Sequence, residues 1–475
     1  MHVVKRREKI IPKLNRLKEL AAREAELKES PNKADMSKAL QIVLEHVRTF
    51  KRKIYGGYAI NAAIVAKSPK DRIYNDSVFP DIDFYSPQPL EDVKALCAAL
   101  IGAGYKDVSG KSAIHSGTLK VRVEHTFETA DITYCWEYLY HKIPTFLTKD
   151  GLLVVAPQFQ VIDLYKTFID PLFGWQKIEK NVQRAALLEK FYLLRSFPGT
   201  SQKFEAVKTT KRSYNYLNVL IQALQGRRDV IIIGDLAYNI FIEFSGIPKK
   251  QNRLIQVESI TAYARDIRAV MGELIKALKI RKYQVEEYRP LLEKYGSQLR
   301  LIVESVPILT LYSDTFCIPY KQVSALQIGS YHVCLRMLYI QKFKTFRDAP
   351  NLHQKTTYMV HQLQAAREHW LRTNRKLGIE ESLFQELQIE CFGTAFMSSI
   401  TLSQKDRKKS PFYSYNPYKP SANLPIRYPN TSGSLVESTD ETGKVTNTAN
   451  GSKSAEEEES AAISTSNQFD DQQLY

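Results

Sequence analysis

The spacing of apolar residues changes along the chain and divides it into segments. Between residues 31 and 171, and again between residues 227 and 339, short alternating apolar runs are mixed with runs of helical period. This pattern predicts strands and helices in the same segment. Between residues 172 and 225, and between 350 and 400, the helical period dominates. We therefore predict two mixed segments with a helical part between them.

The two ends of the chain have a different character. Residues 5–29 alternate Lys and Arg with apolar residues at helical spacing, interrupted by Pro12, which indicates a basic helical lead-in. Past Ser403 the chain is rich in Ser, Thr, Asn and Pro and contains four consecutive glutamates at 456–459. Such a composition predicts disorder. The predicted divisions are a lead-in (1–34), a first mixed domain (35–171), a helical middle domain (172–225), a second mixed domain (226–402) and a disordered tail (403–475).

The two mixed domains resemble each other. Residues 54–61 (IYGGYAIN) align with residues 232–239 (IIGDLAYN), and each stretch follows a polar, basic turn. A later stretch, residues 150–165, has a similar counterpart in residues 324–339. The similarity is weak residue by residue, but its order is the same in both domains. It favours an internal repeat over a chance alignment.

Composition excludes some classes of protein and favours a polyanionic partner. We find no apolar run near the roughly 18 residues that a membrane span needs. The chain also opens with charge, so no secretory signal is expected. The five cysteines form no CxxC or Cys/His cluster, which predicts reduced thiols without a zinc site. Residues 430–475 carry nine acidic and two basic side chains, a net charge of −7. Because the whole chain has a net charge of +16, residues 1–429 have a net charge of +23. This surplus predicts nucleic acid as a partner, although a merely basic surface would have the same charge.

A pair of glycines and a pair of aspartates stand out in the first mixed domain. Gly56 and Gly57 end a short apolar stretch and open a helix, where backbone N–H groups can approach a triphosphate. A simple turn is the common alternative. Asp81 and Asp83 lie two residues apart in an apolar strand, so both carboxylates project from one face. Carboxylates so placed suit Mg²⁺, although an Asp-x-Asp string alone occurs by chance in a chain of this length.

Asp131 supplies a third carboxylate. It follows residues 119–124, which alternate as a strand, and it is expected on a strand beside that of Asp81. Three carboxylates together would form a two-metal site for displacement at a phosphate. A polar strand end is the alternative interpretation for Asp131 alone.

A basic stripe follows the first mixed domain. Its polar members recur at i, i+3, i+4 and i+7, which places them on one face of a helix for phosphate or RNA contacts. These members are Lys177, Lys180, Asn181 and Arg184, with Ile178, Val182 and Ala185 expected on the opposite side. A solvated helix face would show the same pattern.

Taken together, the glycine pair, Asp81-x-Asp83 and Asp131 resemble the polymerase β-like nucleotidyltransferase superfamily. Residues 55–62 with 80–86 resemble more narrowly the poly(A) polymerase catalytic subunits of large cytoplasmic DNA viruses (asfarvirus and poxvirus type), nearest to the African swine fever virus member. The resemblance covers about residues 35–400. It implies an α+β fold with a catalytic nucleotidyltransferase domain, a helical middle domain and a second, degenerate nucleotidyltransferase-like domain before a disordered tail.

The resemblance also implies a reaction and its participants. The expected activity is template-independent addition of AMP from ATP to mRNA 3′ ends, with two Mg²⁺ or Mn²⁺ ions on Asp81, Asp83 and Asp131. Gly56, Gly57 and the basic stripe would contact the nucleotide. The expected setting is the host cytoplasm and the virion, without a membrane, either as a homodimer or with a processivity subunit. The alternatives are uridylyl or 2′–5′ oligoadenylate transfer, or an inactive RNA-binding or processivity subunit.

The second mixed domain departs from the catalytic pattern. Asp235 replaces the second glycine, no Asp-x-Asp follows, and the region 255–259 holds one carboxylate, Glu258. This copy is therefore predicted to be catalytically dead and to serve RNA binding or assembly. In the first copy, 23 residues separate Gly57 from Asp81, and the polar insert 67–78 is interpreted as a loop that contacts substrate.

Overall fold

The structure is a computed structural model, which describes most of residues 33–385 and short pieces near both ends. The described residues are 16–18, 20–21, 33–74, 80–113, 117–124, 127–135, 137–170, 174–192, 211–248, 253–288, 296–313, 318–345, 349–374, 382–385, 391, 414–415, 417–418, 436–439 and 445–448.

The first domain is built on an eight-stranded mixed sheet. The strand order is β15-β3-β4-β5-β2-β1-β7-β6, in which β2 lies antiparallel to β1 and parallel to β5. Its strands are β1 (Lys53–Tyr55), β2 (Ile82–Ser86), β3 (Ser109–Ser112), β4 (Thr118–Val123), β5 (Phe127–Tyr134), β6 (Thr145–Leu147), β7 (Leu153–Val155) and β15 (Ser414–Tyr415). The three strands at its centre therefore carry the predicted site.

Helices cover both faces of this sheet. They are α1 (Lys33–Thr49), α2 (Gly56–Lys67), α3 (Pro89–Gly102), α4 (Glu137–Lys142) and α5 (Pro157–Ile169), followed by α6 (Ile178–Tyr192). Proline at the first turn of α3 and α5 needs no hydrogen-bond partner there, which suits it to a helix start. Helices α1 and α3 pack on one face, whereas α2, α5 and α6 pack together on the other.

The second domain repeats the topology of the first. Its sheet has the order β10-β11-β12-β9-β8-β14-β13, which matches β3-β4-β5-β2-β1-β7-β6 strand for strand, with the same parallel and antiparallel pairs. The strands are β8 (Val230–Ile233), β9 (Ile260–Ala264), β10 (Gln284–Tyr288), β11 (Gln298–Val303), β12 (Val306–Tyr312), β13 (Tyr320–Val323) and β14 (Leu326–Gly329). The helices are α7 (Lys211–Leu224), α8 (Gly234–Phe244), α9 (Ile267–Leu278), α10 (Tyr331–Thr345) and α11 (Pro350–Thr373). The predicted α+β fold with two related domains is confirmed.

Equivalent helices join the two copies. Helix α5 follows β7 in the first copy, α10 follows β14 in the second, and the two helices pack against each other. Phe343 meets Phe159 with ring centroids 4.7 Å apart, and the buried Arg336 donates from Nε to the backbone carbonyl of Ile162 at 3.2 Å. One hydrophobic core continues from the first copy into the second through this contact.

The helices of the predicted middle domain pack on different neighbours. Helix α6 lies against α2 and α5, whereas α7 lies against α9 of the second copy. The predicted boundaries of that domain stay a prediction.

Some expectations for the ends of the chain and for its cysteines need correction or lie outside the described residues. Within the predicted disordered tail, Ser414 and Tyr415 extend the first sheet by pairing with β3, and Val436–Thr439 (β16) pairs with Val445–Thr448 (β17). Most of the tail and of the lead-in lies outside the described residues.

The cysteines depart in part from the prediction that all are reduced. Cys97, Cys135 and Cys334 are free, but Cys391 is disulfide-bonded, because sequence spacing does not reveal which thiols meet in space. Among the described helices, none combines the length and apolarity that crossing a membrane requires.

The packing of α10 on α5 predicts a pH dependence of stability. His332 is buried against Tyr165 and Phe168, and burial lowers the pKa of His332 to about 3, from about 6.5 in an unfolded chain. Its contribution to stability is therefore complete above pH 6.5 and is lost as pH falls toward 3. Replacing His332 by Phe should flatten the fall in the free energy of unfolding between pH 7 and 5, by up to about 1.4 kcal/mol per pH unit, as measured by denaturant unfolding at each pH. The exposed His141, replaced by Gln, is the control and should keep the parental slope. Parallel slopes for parent and His332→Phe would contradict this account.

Candidate active site

A row of side chains crosses the centre of the first sheet. Residue Lys120 on β4 pairs with Asp131 on β5, Asp131 pairs with Asp83 on β2, and Asp83 pairs with Tyr55 on β1. Paired residues in neighbouring strands share a face of the sheet. The register therefore brings Asp83 and Asp131 side by side, as the sequence predicted. Asp81 lies just before β2, which begins at Ile82.

Asp83 lies directly under the turn that leads from β1 into α2. Gly56 has φ +72°, and a Cβ built on it would lie 2.1 Å from Asp83 Oδ2. A side chain at this position would therefore meet both a strained backbone and a carboxylate. The close approach places the positive N-terminal end of α2 over the predicted metal ligands.

A fourth carboxylate, which the sequence pattern does not reveal, belongs to this group. Ligand oxygens of Asp81, Glu128 and Asp131 all lie within 4.8 Å of one another. Glu128 is three residues from Asp131, a spacing that puts two side chains on opposite faces of a regular strand. The pairing of β5 with β4 shifts between Val121 and Arg122, so Thr129 is an extra, bulged residue that turns Glu128 to the face of Asp131. We call Asp81, Asp83, Glu128 and Asp131 the acidic cluster.

The acidic cluster is electrostatically costly on its own. Burial, together with the charges of Asp81 and Asp131, raises the pKa of Asp83 well above its usual range. Burial also raises the pKa of Asp131 to about 6, opposed by Lys120 and reinforced by Asp81 and Glu128. Asp131 Oδ1 is buried and has no hydrogen-bond partner in the described part of the chain, although Lys120 Nζ lies 3.5 Å away.

These residues fit a divalent cation. Hard oxygen ligands at a converging position, one of them buried and without a hydrogen-bond partner among the described residues, are what Mg²⁺ and Mn²⁺ bind. Asp81, Asp83 and Asp131 are the residues that would hold ions here, with Glu128 beside them. The structure thus places Asp81 and Asp131 in the convergent group and Asp83 beside Asp131 on the neighbouring strand.

The predicted basic stripe is placed differently from expectation. Lys177 ends a 3₁₀ turn before α6, and Lys180 lies in the first turn of α6; both are exposed. Arg184 and Asn181 are buried, whereas Val182, expected on the inner side, is 44% exposed. The helix is therefore rotated from the predicted orientation, because Asn181 donates to Thr167 Oγ1 at 2.7 Å and Ala185 and Leu188 pack inward with it. Asn181 holds α6 on α5 instead of facing the acidic cluster.

Arg184 reaches the glycine turn through a partner that the sequence did not reveal. Its Nη2 donates to the Tyr74 hydroxyl at 2.7 Å, and a Cβ built on Gly57 would lie 2.1 Å from that hydroxyl and 3.1 Å from Arg184 Nη2. Burial raises the pKa of Tyr74, and the charges of Asp81 and Asp83 add to this shift. Tyr74 thus lies in the described part of the predicted substrate-contacting insert, next to Gly57. Residues 75–78 of that insert are outside the described residues.

Lys177 and Lys180 remain close enough to the acidic cluster to affect it. The charge of Lys177 opposes the rise in the pKa of Asp83. Burial, with the neighbouring charges of Arg184 and Lys177, lowers the pKa of Lys180, while Asp81 and Asp83 oppose that shift. Arg184 therefore contacts the glycine turn, and the charges of Lys177 and Lys180 act on the aspartates.

The second copy lacks the acidic cluster at the matching positions. Its register pairs Ile233 with Thr261 and Thr261 with Thr310, so Thr261 and Thr310 occupy the places of Asp83 and Asp131. Gly234 has φ +69° and approaches Thr261 as Gly56 approaches Asp83. Ser259 lies two residues before Thr261 and so matches Asp81, which places the carboxylate of Glu258 one residue away from the matching position.

An internal ion pair closes this second turn. Asp235, at the position of Gly57, accepts a hydrogen bond from Lys355 Nζ of α11 at 2.8 Å, and Glu258 accepts another at 2.8 Å. Lys355 is buried. Burial opposes its charge, but the two carboxylates outweigh that effect and raise the pKa of Lys355.

The chain is similar to known proteins over most of its length. Residues 41–174 match the family described as poly(A) polymerase catalytic subunit, and residues 227–440 match the family described for the C-terminal part of the mimivirus (APMV) poly(A) polymerase catalytic subunit. A protein of Acanthamoeba polyphaga mimivirus named as a poly(A) polymerase catalytic subunit is 27% identical over 449 residues, which cover 83% of this chain and 75% of that protein. An African swine fever virus protein of the same name is 33% identical over 171 residues, 35% of each chain. The crystal structure of the Megavirus polyadenylate synthase has a TM-score of 0.79 at 26% identity and covers 93% of this chain and 95% of its own.

The clash at Gly56 predicts a specific loss of metal binding. Gly56→Ala should displace Asp83 and abolish measurable Mn²⁺ binding, because the new Cβ would overlap the carboxylate. Gly246→Ala is the matched control, since Gly246 has φ +71° and open space around its Cβ position. Both variants should lose about 1 kcal/mol through backbone strain. Mn²⁺ titration followed by electron paramagnetic resonance separates them, and equal Mn²⁺ affinity in the two variants would contradict this placement of Asp83.

Proposed function

This chain belongs to the viral poly(A) polymerase catalytic subunits, and we propose that it adds AMP units from ATP to mRNA 3′ ends without a template. It is a nucleotidyltransferase. The observation that carries the proposal is the register that pairs Asp83 with Asp131 directly under the Gly56 turn. A site of this kind suits in-line displacement at the α-phosphate of a nucleoside triphosphate.

Each part of the site has a role in this proposal. Asp81, Asp83 and Asp131 would hold two Mg²⁺ or Mn²⁺ ions, which would lower the pKa of the RNA 3′-hydroxyl and neutralise charge on the phosphates. The Gly56–Gly57 backbone and the positive end of α2 would receive the triphosphate. Lys177, Lys180 and Arg184 would contact its β- and γ-phosphates or the RNA backbone. Asn181 is left out of these contacts because it is engaged with Thr167.

The remaining expectations belong to the same proposal. The basic chain favours RNA as the second substrate. Self-association or a separate processivity subunit, and location in the host cytoplasm and the virion, stay predictions. The second copy, with Lys355 filling the space beside Asp235, is proposed to be catalytically silent and to serve RNA binding or assembly.

We expect purified protein with a short RNA primer and Mg²⁺ or Mn²⁺ to extend the primer with ATP in preference to the other three NTPs. Asp81→Ala combined with Asp83→Ala should lower the rate by at least about a thousandfold, because the ions lose two of their ligands. Glu258→Gln, a carboxylate change in the silent copy, is the matched control and should retain extension.

The products distinguish the alternatives. Preferred extension with UTP would indicate a uridylyl transferase, and 2′–5′ linkages in digested product would indicate an oligoadenylate synthase. No extension with any NTP, or equal extension by the double variant, would overturn the proposal. Loss of extension in Glu258→Gln comparable to that of the double variant would overturn the silence of the second copy.

A further inference from the structure

A lysine side chain lies inside the acidic cluster. Lys120 Nζ is 2.5 Å from Glu128 Oε2 and 3.5 Å from Asp131 Oδ1, and its side chain is 20% exposed. The charge of Asp81 also acts on it. Lys120 therefore approaches the three carboxylates whose oxygens converge within 4.8 Å.

The position of this ammonium group depends on Glu128. The bulge at Thr129 turns Glu128 toward β4, and the Thr129 hydroxyl donates to the Val121 carbonyl at 3.1 Å. Glu128 then takes Lys120 on one oxygen and Arg122 on the other, with Arg122 Nε at 3.1 Å. Lys120 is thus hydrogen-bonded to Glu128 and lies at longer range from Asp131, whose Oδ1 keeps no hydrogen-bond partner among the described residues.

A cation at this distance competes with a metal ion for the same oxygen. The attraction between opposite charges rises as their separation falls, so an ammonium group closer to Asp131 would oppose metal binding more strongly. Removing the ammonium charge would favour metal binding instead. In this structure Glu128 is the carboxylate that holds Lys120 at the shorter distance.

We propose that Lys120 is the internal counter-ion of the acidic cluster and that Glu128 is a positioning residue, which keeps Lys120 from closing onto Asp131. This inference rests on the proposed function, since it assumes that Asp131 holds a metal ion. It adds two residues that set the metal affinity of the site without being required as ligands. Direct Mn²⁺ binding tests it in the absence of ATP and RNA, so its failure is distinguishable from a failure of nucleotidyl transfer.

The test is a double-mutant cycle on Lys120 and Glu128, with Mn²⁺ affinity of the full chain measured by electron paramagnetic resonance. Lys120→Met should tighten Mn²⁺ binding by about three- to tenfold, because it removes the competing charge. Glu128→Gln should weaken binding by a similar factor, because Lys120 then closes onto Asp131. The double variant should bind Mn²⁺ as tightly as Lys120→Met does.

Further variants keep the proposal falsifiable. Lys120→Arg retains the positive charge and should keep the parental Mn²⁺ affinity. Melting curves of all variants establish that they are folded. Lys111→Met is the matched control. Lys111 on β3 pairs with Lys120 on β4, so this substitution removes a positive charge one strand farther from Asp131. Equal tightening in Lys111→Met would replace the proposal with a general charge effect. A double variant as weak as Glu128→Gln would make Glu128 a direct metal ligand and overturn its positioning role, and unchanged affinity in Lys120→Met would overturn the counter-ion role.

Discussion

The burial of like charges beneath a glycine turn is the constraint on which the rest of this site depends. Asp83 lies so close to Gly56 that no side chain fits between them, and its sheet partner Asp131 is another carboxylate. Burial is the main cause that raises the pKa of both groups, so their charged forms are disfavoured at these positions. A protein that holds such groups in a rigid sheet needs cations nearby, and Lys120, Lys177 and Lys180 supply part of that charge. A bound divalent cation would supply the remainder.

The sequence was sufficient for the parts of this site that depend on local geometry. A strand period of two places Asp81 and Asp83 together, and a glycine pair before a helix marks the turn above them. The alignment of residues 54–61 with residues 232–239 also predicted an internal repeat. The orientation of Glu128 could not be predicted from the sequence, because it depends on a bulge that forms only where β5 pairs with β4. The face of α6 was likewise set by tertiary contacts, which carry the polar Asn181 and Arg184 inward against the simple amphipathic pattern.

The second copy shows that the topology does not require the acidic cluster. The same strand order and the same positive-φ glycine persist with Thr261 and Thr310 in place of the two carboxylates. Neither side chain carries a charge, so the sheet holds them without a counter-ion. The fold is therefore stabilised by its apolar layers. The buried carboxylates of the first copy cost stability, and the need to fold does not explain their presence.

The two turns also differ in how their charge is balanced. In the second copy Lys355 is buried between Asp235 and Glu258 at 2.8 Å from each, so two carboxylates share one ammonium group at hydrogen-bonding distance. In the first copy Lys120 lies 2.5 Å from Glu128, and its ion pair with Asp131 is longer, at 3.5 Å. Lys355 compensates the charge of both carboxylates at close range, whereas Lys120 lies farther from Asp131 and compensates its charge less. The same duplicated turn thus occurs with a lysine at hydrogen-bonding distance from both of its carboxylates and, in the first copy, with a lysine held by Glu128 and displaced from Asp131. The difference lies in where the compensating charge is placed, and it leaves Asp131 the less compensated carboxylate.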